Sequence, residues 1–98
     1  MPAYIIGIRR TPVRDENAMS AYQQRTRALQ SEIKLIPRVV YGALDPLEGE
    51  APEGVVMMEF EDMEAARKWY TDPAYQAAVP FRQQAADYDL FIVDGLNR

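Results

Sequence analysis

Arg82 stands at helical spacing among apolar neighbours, in the stripe Tyr75, Ala78, Val79, Arg82 and Ala86. A guanidinium stays charged at any ordinary pH. Burial in such a stripe therefore calls for a carboxylate, a cluster of carbonyls or an anionic ligand, unless the head snorkels to water. Glu59 closes the apolar run that precedes this region, and it is the carboxylate expected to meet Arg82, tying helix to sheet or subunit to subunit. Two kinds of chemistry follow from these residue types. Arg82 can hold a small carboxylate. Glu59, if apolar groups raise its pKa, can act as a general base. Trp69, Tyr70 and Tyr75 lie between them in the chain and can either pack around short helices or wall a pocket. Tyr4 and Arg9, then Tyr22, then Arg38 and Tyr41 come from three earlier segments. Together these residues suit a small aromatic or carboxylic ligand, with Glu59, Arg9 and Arg38 grouped by shared sheet geometry.

Composition removes most other chemistry. The 98 residues include no cysteine and no histidine, which excludes disulfides, thiol nucleophiles, imidazole triads and Cys/His metal sites. The 15 acidic residues form no loop of alternating oxygen ligands, and no phosphate loop, serine elbow or nucleotide fingerprint is present. No metal and no cofactor is expected. The net charge of -4 is unevenly spread. Residues 1–44 hold seven basic and three acidic side chains, whereas residues 45–98 hold four basic and twelve acidic ones. A chain of this balance repels a polyphosphate backbone, so nucleic acid is not an expected partner. The N-terminal run MPAYIIGI lacks a basic leader and is too short to span a bilayer, so the expectation is a cytoplasmic protein with no membrane partner.

The elements that must position the candidates can be read in order. Tyr4 to Arg9 reads as a strand, apolar almost throughout and thus covered on both faces, with Gly7 at a bulge or close contact. From Asp15, a good cap, Met19, Tyr22, Thr26, Leu29 and Ile33 recur at helical spacing and predict a helix over Glu16 to Lys34, stopped before Pro37. Arg38 to Leu44 reads as a second strand, with Gly42 at a bulge or bend. Asp45 to Gly54 is a loop with an acidic tip, and Val55 to Phe60 is a third strand. Asp62 caps a helix, and Asp72-Pro73 repeats the start signal. Pro80 predicts a break in that last helix, and Asp89 to Asp94 closes the chain as a strand before Gly95.

The order is strand, helix, strand, strand, helix, strand, one domain over residues 1–98. That is an α+β fold, the ferredoxin-like βαββαβ arrangement of a four-stranded antiparallel sheet with its helices on one face. The opposite face is apolar too, and a second copy of the same sheet is the economical cover, giving a homodimer.

The run EF-x-DMEAA-xx-WY-x-DP-x-YQ-x-A-xxx-R, from Glu59 to Arg82, and the ending DLFIVDG resemble the small DUF1330 proteins. Tyr4, Tyr22 and Gly42 sit where that family tends to place such residues, and the chain departs from it at Leu35-Ile36-Pro37. The resemblance implies a dimeric α/β barrel, with two sheets face to face. Architectural relatives include cofactor-free monooxygenases, lactone-forming enzymes and haem-using proteins, so any activity drawn from them is fold analogy. Two functional expectations remain: a dimer that binds and transforms a small organic molecule by cofactor-free oxygenase or isomerase chemistry, and a non-catalytic binding or regulatory dimer. A cavity lined by Glu59, Arg82 and aromatics favours the first, and solid packing of those groups favours the second.

Overall fold

The computed structural model describes residues 1–96. Its elements are β1 (Ala3–Arg9), α1 (Glu16–Arg27), β2 (Ile36–Val40), β3 (Gly54–Phe60), α2 (Met63–Thr71), α3 (Pro73–Ala85) and β4 (Tyr88–Asp94). The strands form a sheet of order β2-β3-β1-β4, with every pairing antiparallel. This is the ferredoxin-like arrangement expected from the element order.

The central strand β1 turns Ala3, Ile5 and Gly7 into the protein, where all three are buried, and Tyr4, Ile6 and Ile8 toward the other face. The register carries this division across the sheet. Phe60, Met58 and Val56 of β3 and Ile92 and Leu90 of β4 share the helix side with Ile5. Met57 and Val55 share the opposite face with Phe91 and Val93, which are 46% and 40% exposed. Under the helices, Ile5, Phe60, Ala66, Trp69, Tyr75 and Val79 form the main core. Alanines that are fully buried, Ala3, Ala66, Ala78 and Ala85, let backbones approach closely enough for these rings to meet.

Carboxylate caps set the helix starts. Asp15 accepts from the amide of Ala18 at 3.0 Å and Asp62 from that of Ala65 at 2.8 Å. Asp72 ends α2 and starts α3, its side chain accepting from the Ala74 amide at 2.8 Å with Pro73 in the first turn.

Three expectations are corrected. The helix predicted to run to Lys34 stops at Arg27, and Leu29, Ile33 and Leu35 pack on the core from a loop. Ser31 holds that loop by accepting from the Ile33 amide at 3.1 Å, a local bond that competes with helix. The second strand is Ile36–Val40 rather than Arg38 to Leu44. Pro37 is tolerated because β2 is an edge strand, and the register shifts between Pro37 and Val39. Tyr41 ends it by taking a left-handed backbone, φ 54°. Finally, α3 continues through Pro80, which is exposed, so the ring and the missing donor fall on the outer side.

Candidate functional site

Between α1 and the helix side of the sheet lies a cavity of about 340 Å³. Ile5, Gly7, Val56, Met58 and Leu90 form its floor. Its walls are Tyr22, Tyr41, Trp69, Tyr75 and Tyr88, with Arg82 among them. A larger hollow, about 610 Å³, opens elsewhere beside Glu32, Glu59, Glu61, Asp62, Glu64 and Lys68. Its acids and lysines are those of a solvated surface, and no buried polar group converges on it. The smaller cavity has the character of a ligand site, mainly apolar with a few inward polar atoms.

Helical spacing on α3 explains how those atoms arrive. Tyr75, Val79 and Arg82 follow one another along one face and are all buried. Arg82 is 6% exposed, its Nε is buried without a hydrogen-bond partner, and no ion pair to it exists among the described residues. Its guanidinium carbon lies 5.8 Å from the Tyr22 ring centre and 5.2 Å from that of Tyr88. Such cation–π contacts return about 0.5–2 kcal/mol each, less than full pairing of a buried charge.

The tyrosines meet in two hydroxyl pairs. Tyr22 of α1 and Tyr75 of α3 stand 3.0 Å apart at their oxygens, and Tyr41 and Tyr88 stand 2.6 Å apart. Burial, reinforced by the partner hydroxyl, pushes the phenols of Tyr22 and Tyr41 well above the usual tyrosine range, so both are protonated at neutral pH. Trp69 stacks against Tyr75 at 4.3 Å between ring centres. The left-handed turn at Tyr41 aims its ring over Gly54, where a side chain would collide with it, and Arg9 covers the ring at 5.1 Å.

Five of the candidates from the sequence thus converge: Tyr22, Tyr41, Trp69, Tyr75 and Arg82. Arg9 reaches only the rim, through Tyr41. Tyr4 lies on the opposite face of the sheet, its ring against Gly95. The expected partnership of Glu59 with Arg82 does not form. Glu59 alternates away from Phe60 onto the outer face and pairs with Arg38 at 3.0 Å. The trio of Glu59, Arg9 and Arg38 is also broken, because Arg9 pairs with Gly54 at the far end of β3 from Glu59. Tyr88 is the wall residue missed in the sequence. The alternation Tyr88, Leu90, Ile92 is its signal, hidden when the strand is started one residue late. Arg27, exposed at the end of α1, also lies at the cavity's edge.

A ferredoxin-like α+β protein with an aromatic, arginine-bearing cavity under its sheet is the class that fold and site define. The chain belongs to the DUF1330 family, a domain of unknown function whose model matches residues 2–96. Among solved structures, it is similar to the methylated RPA0582 protein of Rhodopseudomonas palustris, at 20% identity and a TM-score of 0.73, covering 98% of this chain and 82% of that one. A dimeric protein of unknown function and ferredoxin-like fold from Bacteroides fragilis is 18% identical, with a TM-score of 0.62 and 96% of each chain covered. A dimeric ferredoxin-like protein of unknown function from Thermobifida fusca is 17% identical, with a TM-score of 0.61, covering 96% of this chain and 91% of that one. These likenesses establish the fold. No curated protein matches the chain.

Proposed function

We propose that the protein is a homodimer that binds one small aromatic or carboxylic molecule per protomer in the cavity between α1 and the sheet. The observation that carries this reading is Arg82, nine-tenths buried at an apolar, aromatic cavity with no acid to meet it among the described residues. A structural arginine at such a position normally has a carboxylate or carbonyl partner. The second copy covers the apolar sheet face of Ile6, Ile8, Met57, Phe91 and Val93, in the face-to-face packing of a dimeric α/β barrel. The dimeric neighbours from Bacteroides fragilis and Thermobifida fusca support that assembly.

Binding without general-base chemistry is the reading favoured over turnover. The cavity is lined by no aspartate, glutamate or histidine, and Glu59 is held by Arg38 on the other side of the sheet. Its arginines and tyrosine hydroxyls can donate to oxygen atoms, and no carboxylate or imidazole lines it to take up a proton. An oxygenase or isomerase activity here would draw on the tyrosine hydroxyls alone.

Trp69 is the chain's single tryptophan and lines the cavity, so its emission reports directly on occupancy. A panel of aromatic and hydroxy acids titrated against the intact protein should include compounds that change Trp69 emission saturably and raise Tm. At a hundredfold excess over Kd, binding adds about 2.7 kcal/mol, which lifts Tm by more than about 10 °C in a domain of this length. A panel in which emission and Tm never move together refutes the reading.

A further inference from the structure

Resting on that reading of the cavity, we infer that the site selects its ligand by charge, taking an oxyanion in its deprotonated form and holding it on Arg82 with one hydroxyl proton from each tyrosine pair. A count of protons supports the assignment. In each hydroxyl pair one tyrosine donates to the other, and the acceptor keeps a proton with no partner within the pair. Two such protons and the Nε–H of Arg82 are donors in excess, and no side chain lining the cavity is an anion.

The charge balance points the same way. In a chain of net charge -4, this cavity is lined by Arg82 and Arg27 and by no acid. A neutral carbonyl would accept the hydrogen bonds but leave the buried charge uncompensated, whereas an oxyanion satisfies both. A cation would meet Arg82 in a medium where like charges repel strongly.

Shape narrows the class further. Arg82 lies over the rings of Tyr22 and Tyr88, so its free donors are those at the edge of the guanidinium plane. A planar carboxylate or a phenolate oxygen fits that edge, and the apolar floor of Ile5, Val56, Met58 and Leu90 takes a ring behind it. The volume of about 340 Å³ admits a molecule of one or two rings.

The groups facing Arg82 explain why the selectivity is written in the ligand's own ionisation. Tyr22 from α1, Tyr75 from α3, Tyr88 from β4 and Tyr41 from just past β2 stand around it, with Arg27 at the edge, Arg9 behind Tyr41, and Tyr70 and Asp87 along its outer side. Asp87 is exposed and bound to Arg14 at 3.0 Å, and burial holds the phenols of Tyr22 and Tyr41 above the usual tyrosine range. Binding should therefore follow the proton of the ligand and not one of the protein.

The probe is 4-nitrophenol, a one-ring phenol that ionises near neutral pH and changes colour as it does so. Bound to the intact wild-type protein, it should titrate at least about one pH unit below its free value, a tenfold preference for the anion. Benzoate, benzamide and benzylamine, read by Trp69 emission, supply the second measurement. Benzoate should bind at least tenfold more tightly than benzamide, and benzylamine should not compete. In Arg82→Gln, benzoate binding should fall at least tenfold and its preference over benzamide should vanish. The wild-type colour titration decides the matter even if that variant does not fold. Equal binding of benzoate and benzamide, with 4-nitrophenol titrating at its free value, overturns the charge selectivity and leaves the cavity reading standing. Failure of every one of these probes to move Trp69 emission overturns both.

Discussion

A methyl group at position 54 tests how the rim of the cavity is built. Gly54 opens β3 opposite Arg9, with the Tyr41 ring directly over it. A Cβ there would stand 2.7 Å from Tyr41 Cδ1 and 3.1 Å from Cε1, with Arg9 Cζ at 3.6 Å. The ring has little room to retreat. Its hydroxyl is held 2.6 Å from that of Tyr88, and its backbone already occupies the left-handed region at φ 54°. Overpacking of this kind costs about 1–3 kcal/mol, and loss of the hydroxyl pair adds about 1 kcal/mol. In a domain of this length each kcal/mol moves Tm by about 4–8 °C, so Gly54→Ala, at about 2–4 kcal/mol together, should lower Tm by roughly 8–32 °C.

Gly42→Ala is the matched control, since nothing lies within 4 Å of its Cβ position. It should be neutral or stabilising by up to about 1 kcal/mol, because alanine narrows the unfolded ensemble. Calorimetry on both variants and on a cycle with Tyr41→Gly isolates the contact. Without the ring, the cost of Gly54→Ala should fall to within about 0.5 kcal/mol of zero. If that cost persists unchanged in the Tyr41→Gly background, or is no greater than that of Gly42→Ala, the proposed rim packing is wrong.

Phe91→Lys, on the outer sheet face where Phe91 is 46% exposed, should weaken self-association at least tenfold in sedimentation, while wild type sediments as a dimer. A monomeric wild type at micromolar concentration refutes the assembly. The phenols of Tyr22 and Tyr41 lie above their ordinary value of 10.0 in the folded chain, so each stabilises fully below that pH and loses its contribution as pH rises toward the folded value. Stability should thus decline above pH 10, and tyrosinate absorbance should show these two groups ionising only as the chain unfolds. Pro80→Ala should stabilise α3 by about 1–3 kcal/mol in thermal unfolding, because it restores an amide donor at an exposed helical position.

The layered fold was legible because alternation and helical spacing are each set by geometry within one segment. Caps at Asp15, Asp62 and Asp72 are equally local, and all form as their residue types require. The errors fall where distant parts decide. Leu29 and Ile33 keep helical spacing, yet the chain must leave α1 at Arg27 to reach the sheet edge at Ile36. Which of two faces a strand residue joins depends on register, and that separated Glu59 from Arg82. Arg82 was conspicuous as a charge in an apolar stripe. The ring partners that flank it come from α1 and β4, and no spacing rule connects Tyr22 with Tyr88.

The short outer strand β2 has a consequence for the fate of the chain at high concentration. Pro37 offers no amide, and the ladder is out of step by Val39, so a neighbouring chain finds no continuous row of partners along that margin. Open-ended stacking of β4 on β2 from molecule to molecule requires both margins, and one blunted margin suffices to stop it. Pro37 and the shift beside it therefore disfavour sheet-to-sheet growth along that margin, and contacts between copies are steered toward arrangements that close on themselves.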